Sequence, residues 1–185
     1  MFLICGLGNK GHRYVSTRHN MGYLAVDRFS QRYSIPLDKK ICNSTVGIKE
    51  DLIIAKPGTY MNISGATVLS LVKRFNIKTE ELIIIHDDMD MEFGRIKIRW
   101  DGKDGGHRGV RSIIDALETK DFFRLKIGIG RDPVMDPVEY VLSNFRKDET
   151  EALHETLDIA AEALYTFVYE GKEKAMSIYN KRQKI

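Results

Sequence analysis

The chain has 185 residues, 43% hydrophobic and 30% charged, with 29 basic against 26 acidic side chains and a formal net charge of +3. That balance excludes a disordered or fibrous chain, and the length suits a single domain over residues 1–185. No apolar run approaches the roughly 18–20 residues of a membrane span, and no basic leader precedes the first strand-like stretch, so a cytoplasmic protein with no membrane partner is expected.

In chain order, Phe2-Leu3-Ile4-Cys5 is a short continuous apolar run and reads as a buried strand, followed by a turn from Gly6 to Gly11. From Asn20, the positions Gly22, Ala25, Val26, Phe29 and Tyr33 fall at helical spacing, with Ser16 or Thr17 as N-cap and Pro36 as the stop. Thr45 to Lys49 and Leu52 to Ala55 flank Glu50-Asp51 as a hairpin. Pro57-Gly58 breaks the chain before a second helix, with Met61, Gly65, Val68, Val72 and Phe75 on its apolar face.

Leu82-Ile83-Ile84-Ile85 is the most apolar run and reads as a central strand that delivers His86-Asp87-Asp88 to its carboxyl end. Ile96, Ile98 and Trp100 alternate with Arg95, Lys97 and Arg99, a half-buried strand with a basic outer face. A glycine-rich turn at 102–109 leads to a helix with Val110, Ile113, Ile114 and Leu117 inward, and 125–130 is a further strand. Beyond Pro133 and Pro137, a long amphipathic helix carries Leu153, Leu157, Ala160, Ala161, Leu164 and Val168, and a short basic helix or tail closes the chain over 172–185. Strands alternating with helices predict an α/β domain with a mixed, largely parallel twisted sheet flanked by helices. Cys5 and Cys42 sit in apolar, strand-like sequence and read as reduced core residues.

In such sheets, sites gather beyond the carboxyl ends of strands. Four segments meet that condition: 14–22, the stretch around Met61-Asn62, His86-Asp87-Asp88, and Gly105-Gly106-His107-Arg108-Gly109. Gly6-Leu7-Gly8-Asn9-Lys10-Gly11 fits G-x-G-x-x-G, yet the helix does not open at the third glycine and Asp27 lies inside a helix rather than ending a second strand. A glycine-permitted turn accounts for it better and leaves Asn9 displayed. His19 at a helix start is the sharpest residue. A carboxylate on one ring nitrogen would fix its tautomer and support the cation formed in catalysis, and Asp87 is the best supplier. The acidic run lacks a calcium-loop pattern, so neither a metal nor another cofactor is expected. Asn9, Asn20 and Asn62 are amides able to donate to a developing oxyanion. Arg95, Lys97, Arg99, Lys103, Arg108, Arg111, Arg124, Lys126 and Arg131 concentrate charge in one third of the chain, a candidate phosphate-binding surface. Tyr14 and Tyr60, which can stack on a base, lie beside the catalytic segments.

On three motifs the sequence resembles the bacterial-type peptidyl-tRNA hydrolases: Tyr14-x-x-Thr17-Arg18-His19-Asn20-x-Gly22, Lys56-Pro57-Gly58-Thr59-Tyr60-Met61-Asn62-x-Ser64-Gly65, and His86-Asp87-Asp88-x-Asp90, with support from Gly128-Ile129-Gly130. The resemblance spans essentially the whole chain. It implies a monomeric, cofactor-free enzyme that cleaves the ester between a peptide and the 3′ end of tRNA, with tRNA as its partner. It implies His19 as general base, Asp87 as the carboxylate supporting it, and Asn9 as the residue separating blocked from free aminoacyl-tRNA. Tyr14, Tyr60 and Asn62 are implied to contact the acceptor end and peptide, and Arg99 and Lys126, with Lys97 nearby, the 5′-phosphate. Two positions depart from the family pattern. Lys10 replaces a proline in the Asn9-Lys10-Gly11 turn, and Arg108 replaces an asparagine that helps hold water and substrate. Arginine is longer, charged and only a donor, so Arg108 is kept as a binding residue of altered role. Loss of catalysis, leaving an RNA-binding relative of the same fold, is the alternative. The motifs leave open whether Arg18 and Asn20 touch substrate or hold His19.

Overall fold

In the computed structural model, which describes residues 1–181, seven strands form one sheet. They are β1 (Phe2–Gly6), β2 (Lys39–Ile41), β3 (Ser44–Lys49), β4 (Leu52–Pro57), β5 (Leu82–Asp88), β6 (Ile96–Trp100) and β7 (Phe123–Gly128), in the order β2-β3-β4-β1-β5-β7-β6. The four central strands run parallel, while β2 and β3 at one edge and β6 at the other are antiparallel to their neighbours. This is the mixed, largely parallel sheet expected.

The central strands are largely apolar and buried because both faces are covered. Alternation then assigns the sides. Ile4, Ile54, Ile83 and Ile85 pack against α1 (Met21–Tyr33), α5 (Thr150–Tyr165) and α6 (Lys172–Tyr179). Leu3, Cys5, Ile53 and Ile84 pack against α2 (Ser64–Phe75) and α3 (Arg108–Leu117). A short α4 (Pro137–Leu142) lies ahead of α5, started by Asp136, whose side chain accepts from the Val138 and Glu139 N–H groups. The closing basic segment is α6 through Tyr179; residues 182–185 lie outside the described residues. No helix among the described residues is long and apolar enough to cross a membrane.

Several local expectations are corrected. Cys42 is not in a strand but in the two-residue turn Cys42-Asn43, both with positive φ, which joins β2 to β3. Cys5 is buried in β1, and both thiols are free. The first helix ends not at Pro36 but at Ser34, which adopts the left-handed conformation and bonds back to Ser30. Thr17 precedes a 3₁₀ turn, Arg18–Asn20, rather than α1 itself, and its hydroxyl donates to the Tyr14 carbonyl. Trp100 is 37% exposed and leans on Phe123.

The early glycines serve close packing more than turning. A Cβ on Gly6 would lie 2.1 Å from the Gly22 carbonyl oxygen, and one on Gly22 would lie 2.4 Å from that of Ile85. These contacts press the start of α1 against the ends of β1, with Asn9 just beyond it, and β5, whose last residues include Asp87. Among these early glycines only Gly11, with φ of 110°, needs the freedom that a turn glycine supplies.

Candidate active site

Residues from all four segments line one cleft of about 630 Å³ at the carboxyl ends of β1, β4 and β5. Three segments arrive there directly. The fourth does not, because β6 is antiparallel and its carboxyl end points away, so residues 101–107 carry the chain back to the site. His107 then opens α3 as its N-cap, its Nδ1 accepting from the Val110 N–H.

His19 is held by Asp87. Its Nδ1 lies 3.0 Å from each carboxylate oxygen. An ionised carboxylate only accepts, so Nδ1 carries the proton and Nε2 keeps its lone pair. His107 donates through Nε2 to the same Asp87 Oδ1 at 3.1 Å, a tautomer fixed by the bond its Nδ1 accepts. One buried carboxylate therefore serves two imidazoles whose ring centroids are 4.9 Å apart. Burial alone would raise the Asp87 carboxyl, but His19 and His107 outweigh it and hold the group well below the usual carboxylate range.

His86 lies behind this pair. Its Nδ1 donates to the Asp87 carbonyl at 2.7 Å and its ring meets that of His107 edge-on at 4.8 Å. Burial, reinforced by His107, keeps it well below the ordinary histidine value, so it stays neutral. His19, Asp87 and His107 are close enough to hold an ion. Their facing atoms are instead joined by the bonds just described. The rest of the acidic run is paired with cations, Asp88 with Lys126 at 2.5 Å and Asp90 with Arg131 at 2.6 Å.

The roles of Arg18 and Asn20 are structural. Arg18 is 2% exposed, pairs with Glu149 at 2.7 Å, and stacks on Tyr140 and Phe145. Asn20 accepts from the Asn9 N–H at 2.8 Å and donates to the Asn9 carbonyl at 3.1 Å. Both bracket His19 and fix its backbone. Glu149→Ala strands a buried guanidinium, and a loss of about 3 kcal/mol is expected. Urea denaturation reads it, and a change under about 1 kcal/mol would mean that ring stacking alone holds Arg18.

Asn9 is buried, and its Oδ1 accepts the Met61 N–H at 2.8 Å, which leaves only its amide N–H groups to face the cleft. Tyr14, Tyr60, Asn62 and Arg108 line the same cleft, with Tyr60, Asn62 and Arg108 exposed. Lys126 joins them from β7, beside His86 of β5 and opposite Lys97 of β6. Lys97 and Arg99 lie outside the cleft on the edge strand. Arg124 is lost from the basic surface: it is buried and donates to the carbonyls of Asp101, Lys103 and Lys120. The sequence did not single out His107, which stands there only as part of the turn at 105–109, or Glu149, whose partner Arg18 is 131 residues away.

The α/β sheet thus sets a carboxylate-bound histidine at the edge of a cleft beyond its strand ends. The family model for peptidyl-tRNA hydrolase matches residues 3–185, and the chain belongs to that family. It is 46% identical over 187 residues to the peptidyl-tRNA hydrolase of Thermodesulfovibrio yellowstonii, covering 98% of this chain and 100% of that one. It is 42% identical over 184 residues to that of Clostridium tetani, covering 97% of each. The fold superposes on the crystal structure of peptidyl-tRNA hydrolase from Acinetobacter baumannii with a TM-score of 0.91 at 32% identity, covering 99% of this chain and 96% of that one.

Proposed function

We propose that this chain hydrolyses the ester joining a peptide, or an N-blocked amino acid, to the 3′ end of tRNA, and so returns tRNA from prematurely released peptidyl-tRNA. The observation that carries the reading is the His19 ring, bonded through Nδ1 to both oxygens of Asp87 at the edge of the cleft. His19 Nε2 takes a proton from water as the oxygen attacks the ester carbonyl. The tetrahedral intermediate collapses, the imidazolium returns the proton to the departing ribose oxygen, and a tRNA hydroxyl and a peptide carboxylic acid result, the acid losing its remaining proton to solvent. Asn62, with a backbone N–H, steadies the oxyanion. The Asn9 amide N–H groups meet the carbonyl of the first peptide bond, which a free aminoacyl group lacks. Tyr14 and Tyr60 give the terminal base and the peptide a surface to stack on, and Lys97, Arg99 and Lys126 attract the phosphates of the acceptor arm.

One chain supplies every residue in this scheme, which supports a monomer, and translation places its substrate in the cytoplasm. The test is turnover of N-acetylaminoacyl-tRNA beside free aminoacyl-tRNA. Rapid release of the blocked species and slow release of the free one are expected. Binding of tRNA without turnover would instead make the chain an RNA-binding relative. Asn9→Ala is expected to narrow the preference for the blocked substrate about tenfold, the loss of one hydrogen bond to a substrate group. An unchanged ratio would remove Asn9 from that role.

A further inference from the structure

Three basic side chains line the cleft: Arg108, Lys126 and Arg131. Four carboxylates line it as well, and each already has its partner. Asp87 holds His19 and His107, Asp88 holds Lys126, and Asp90 holds Arg131. Asp104 holds Arg111 and caps the Gly106 N–H. Arg108 is left as the cleft's one cation without a carboxylate among the described residues. It is exposed, and it is the first residue of α3, where the leading N–H groups of a helix and its dipole also favour an anion.

Its place in the chain limits which anion it serves. Arg108 directly follows His107, and His107 is bonded to the carboxylate that holds the proposed base. On a tRNA whose terminal ester lies at His19, the nearest negative charge is the phosphodiester on the 5′ side of the last ribose. A guanidinium presents paired donors that match a phosphate's oxygens. We propose that Arg108 binds that phosphodiester, and that it fixes the terminal nucleotide in register with the base. This rests on the reading of the chain as a hydrolase of tRNA esters. It adds a phosphate contact inside the cleft, separate from the basic edge formed by Lys97 and Arg99.

The test compares two small substrates, the N-acetylaminoacyl ester of adenosine and that of adenosine 5′-monophosphate, in the wild type and in Arg108→Asn and Arg108→Lys. The ratio of kcat/KM for the phosphorylated over the unphosphorylated ester is expected to fall about tenfold in Arg108→Asn and less in Arg108→Lys, which keeps the charge but not the fork. An unchanged ratio overturns the proposal, as does a loss that follows acidic side chains in the acyl group. Binding of uncharged tRNA at several salt concentrations gives an independent reading. The slope of log Kd against log salt is expected to shrink by about one in Arg108→Asn, and an unchanged slope overturns the proposal. If the wild type cleaves no ester, the hydrolase reading fails by itself, and the salt slope still decides whether Arg108 meets a phosphate.

Discussion

Replacing His19 with alanine is expected to lower kcat on N-acetylaminoacyl-tRNA by about 10²–10⁴-fold, the usual contribution of a positioned general base, while KM changes little. Neither of the other two histidines lining the cleft can take over. His107 Nε2 is committed as a donor to Asp87 and its Nδ1 to the Val110 N–H. His86 is buried and kept neutral, with Nδ1 committed to the Asp87 carbonyl. The half-buried His19 side chain anchors little of the core, so the variant should fold, and its circular dichroism and melting curve serve as controls. Single-turnover kinetics with saturating enzyme separate the chemical step from tRNA binding. Turnover within threefold of the wild type would remove His19 as the base. A rise in KM with kcat intact would turn it into a binding residue.

The motif geometry is readable where a segment follows a parallel strand by local rules, as three of the four do. The apolar run 82–85 placed Asp87 at a strand's carboxyl end, and the helical spacing from Gly22 placed His19 at a helix start. What escaped depends on contacts across the fold. β2 is three residues of the pattern Lys39-Lys40-Ile41, with no alternation to reveal it, and it pairs only because Cys42-Asn43 adopt left-handed conformations. Gly6 and Gly8 looked like turn residues because sequence shows that glycine is small but not what it approaches, here Gly22 and the ring of Tyr23. The motifs leave open whether Arg18 touches substrate or holds His19; in the fold it is spent on Glu149, which reaches it from just ahead of α5. The basic cluster likewise read as a count of charges. Folding separates from it Arg124, buried on carbonyls, Lys126, Arg111 and Arg131, each paired with an aspartate, Lys97 and Arg99, on the edge strand outside the cleft, and Arg108, left open within it.

Asp87→Asn should also cost about 10²–10⁴-fold in kcat, for a different reason. The amide nearly matches the carboxylate in shape, so the ring of His19 can stay where it is. An amide, however, can turn its NH₂ toward Nδ1, which then accepts and leaves the proton on Nε2, where it blocks removal of a proton from water. His107, whose tautomer is fixed from the other side, must donate through Nε2 and will claim the amide oxygen. That competition favours presenting the NH₂ to His19. Nitrogen NMR of the His19 ring reads this directly. Protonation at Nδ1 is expected in the wild type and at Nε2 in the variant, a change that simple loosening of the site would not produce. The same substitution has a signature in stability. Asp87 is depressed in the folded chain, so its ionised form contributes stability fully above the unfolded carboxyl value of about 3.9. That contribution is lost as pH falls below this value toward the folded one. Asparagine does not titrate, so the stability difference between wild type and Asp87→Asn should move against the wild type as pH falls below about 4. Denaturation curves across that range read it. A difference that stays flat to pH 2, or a kcat within threefold of the wild type, would show that the carboxylate's charge is not what holds His19 ready.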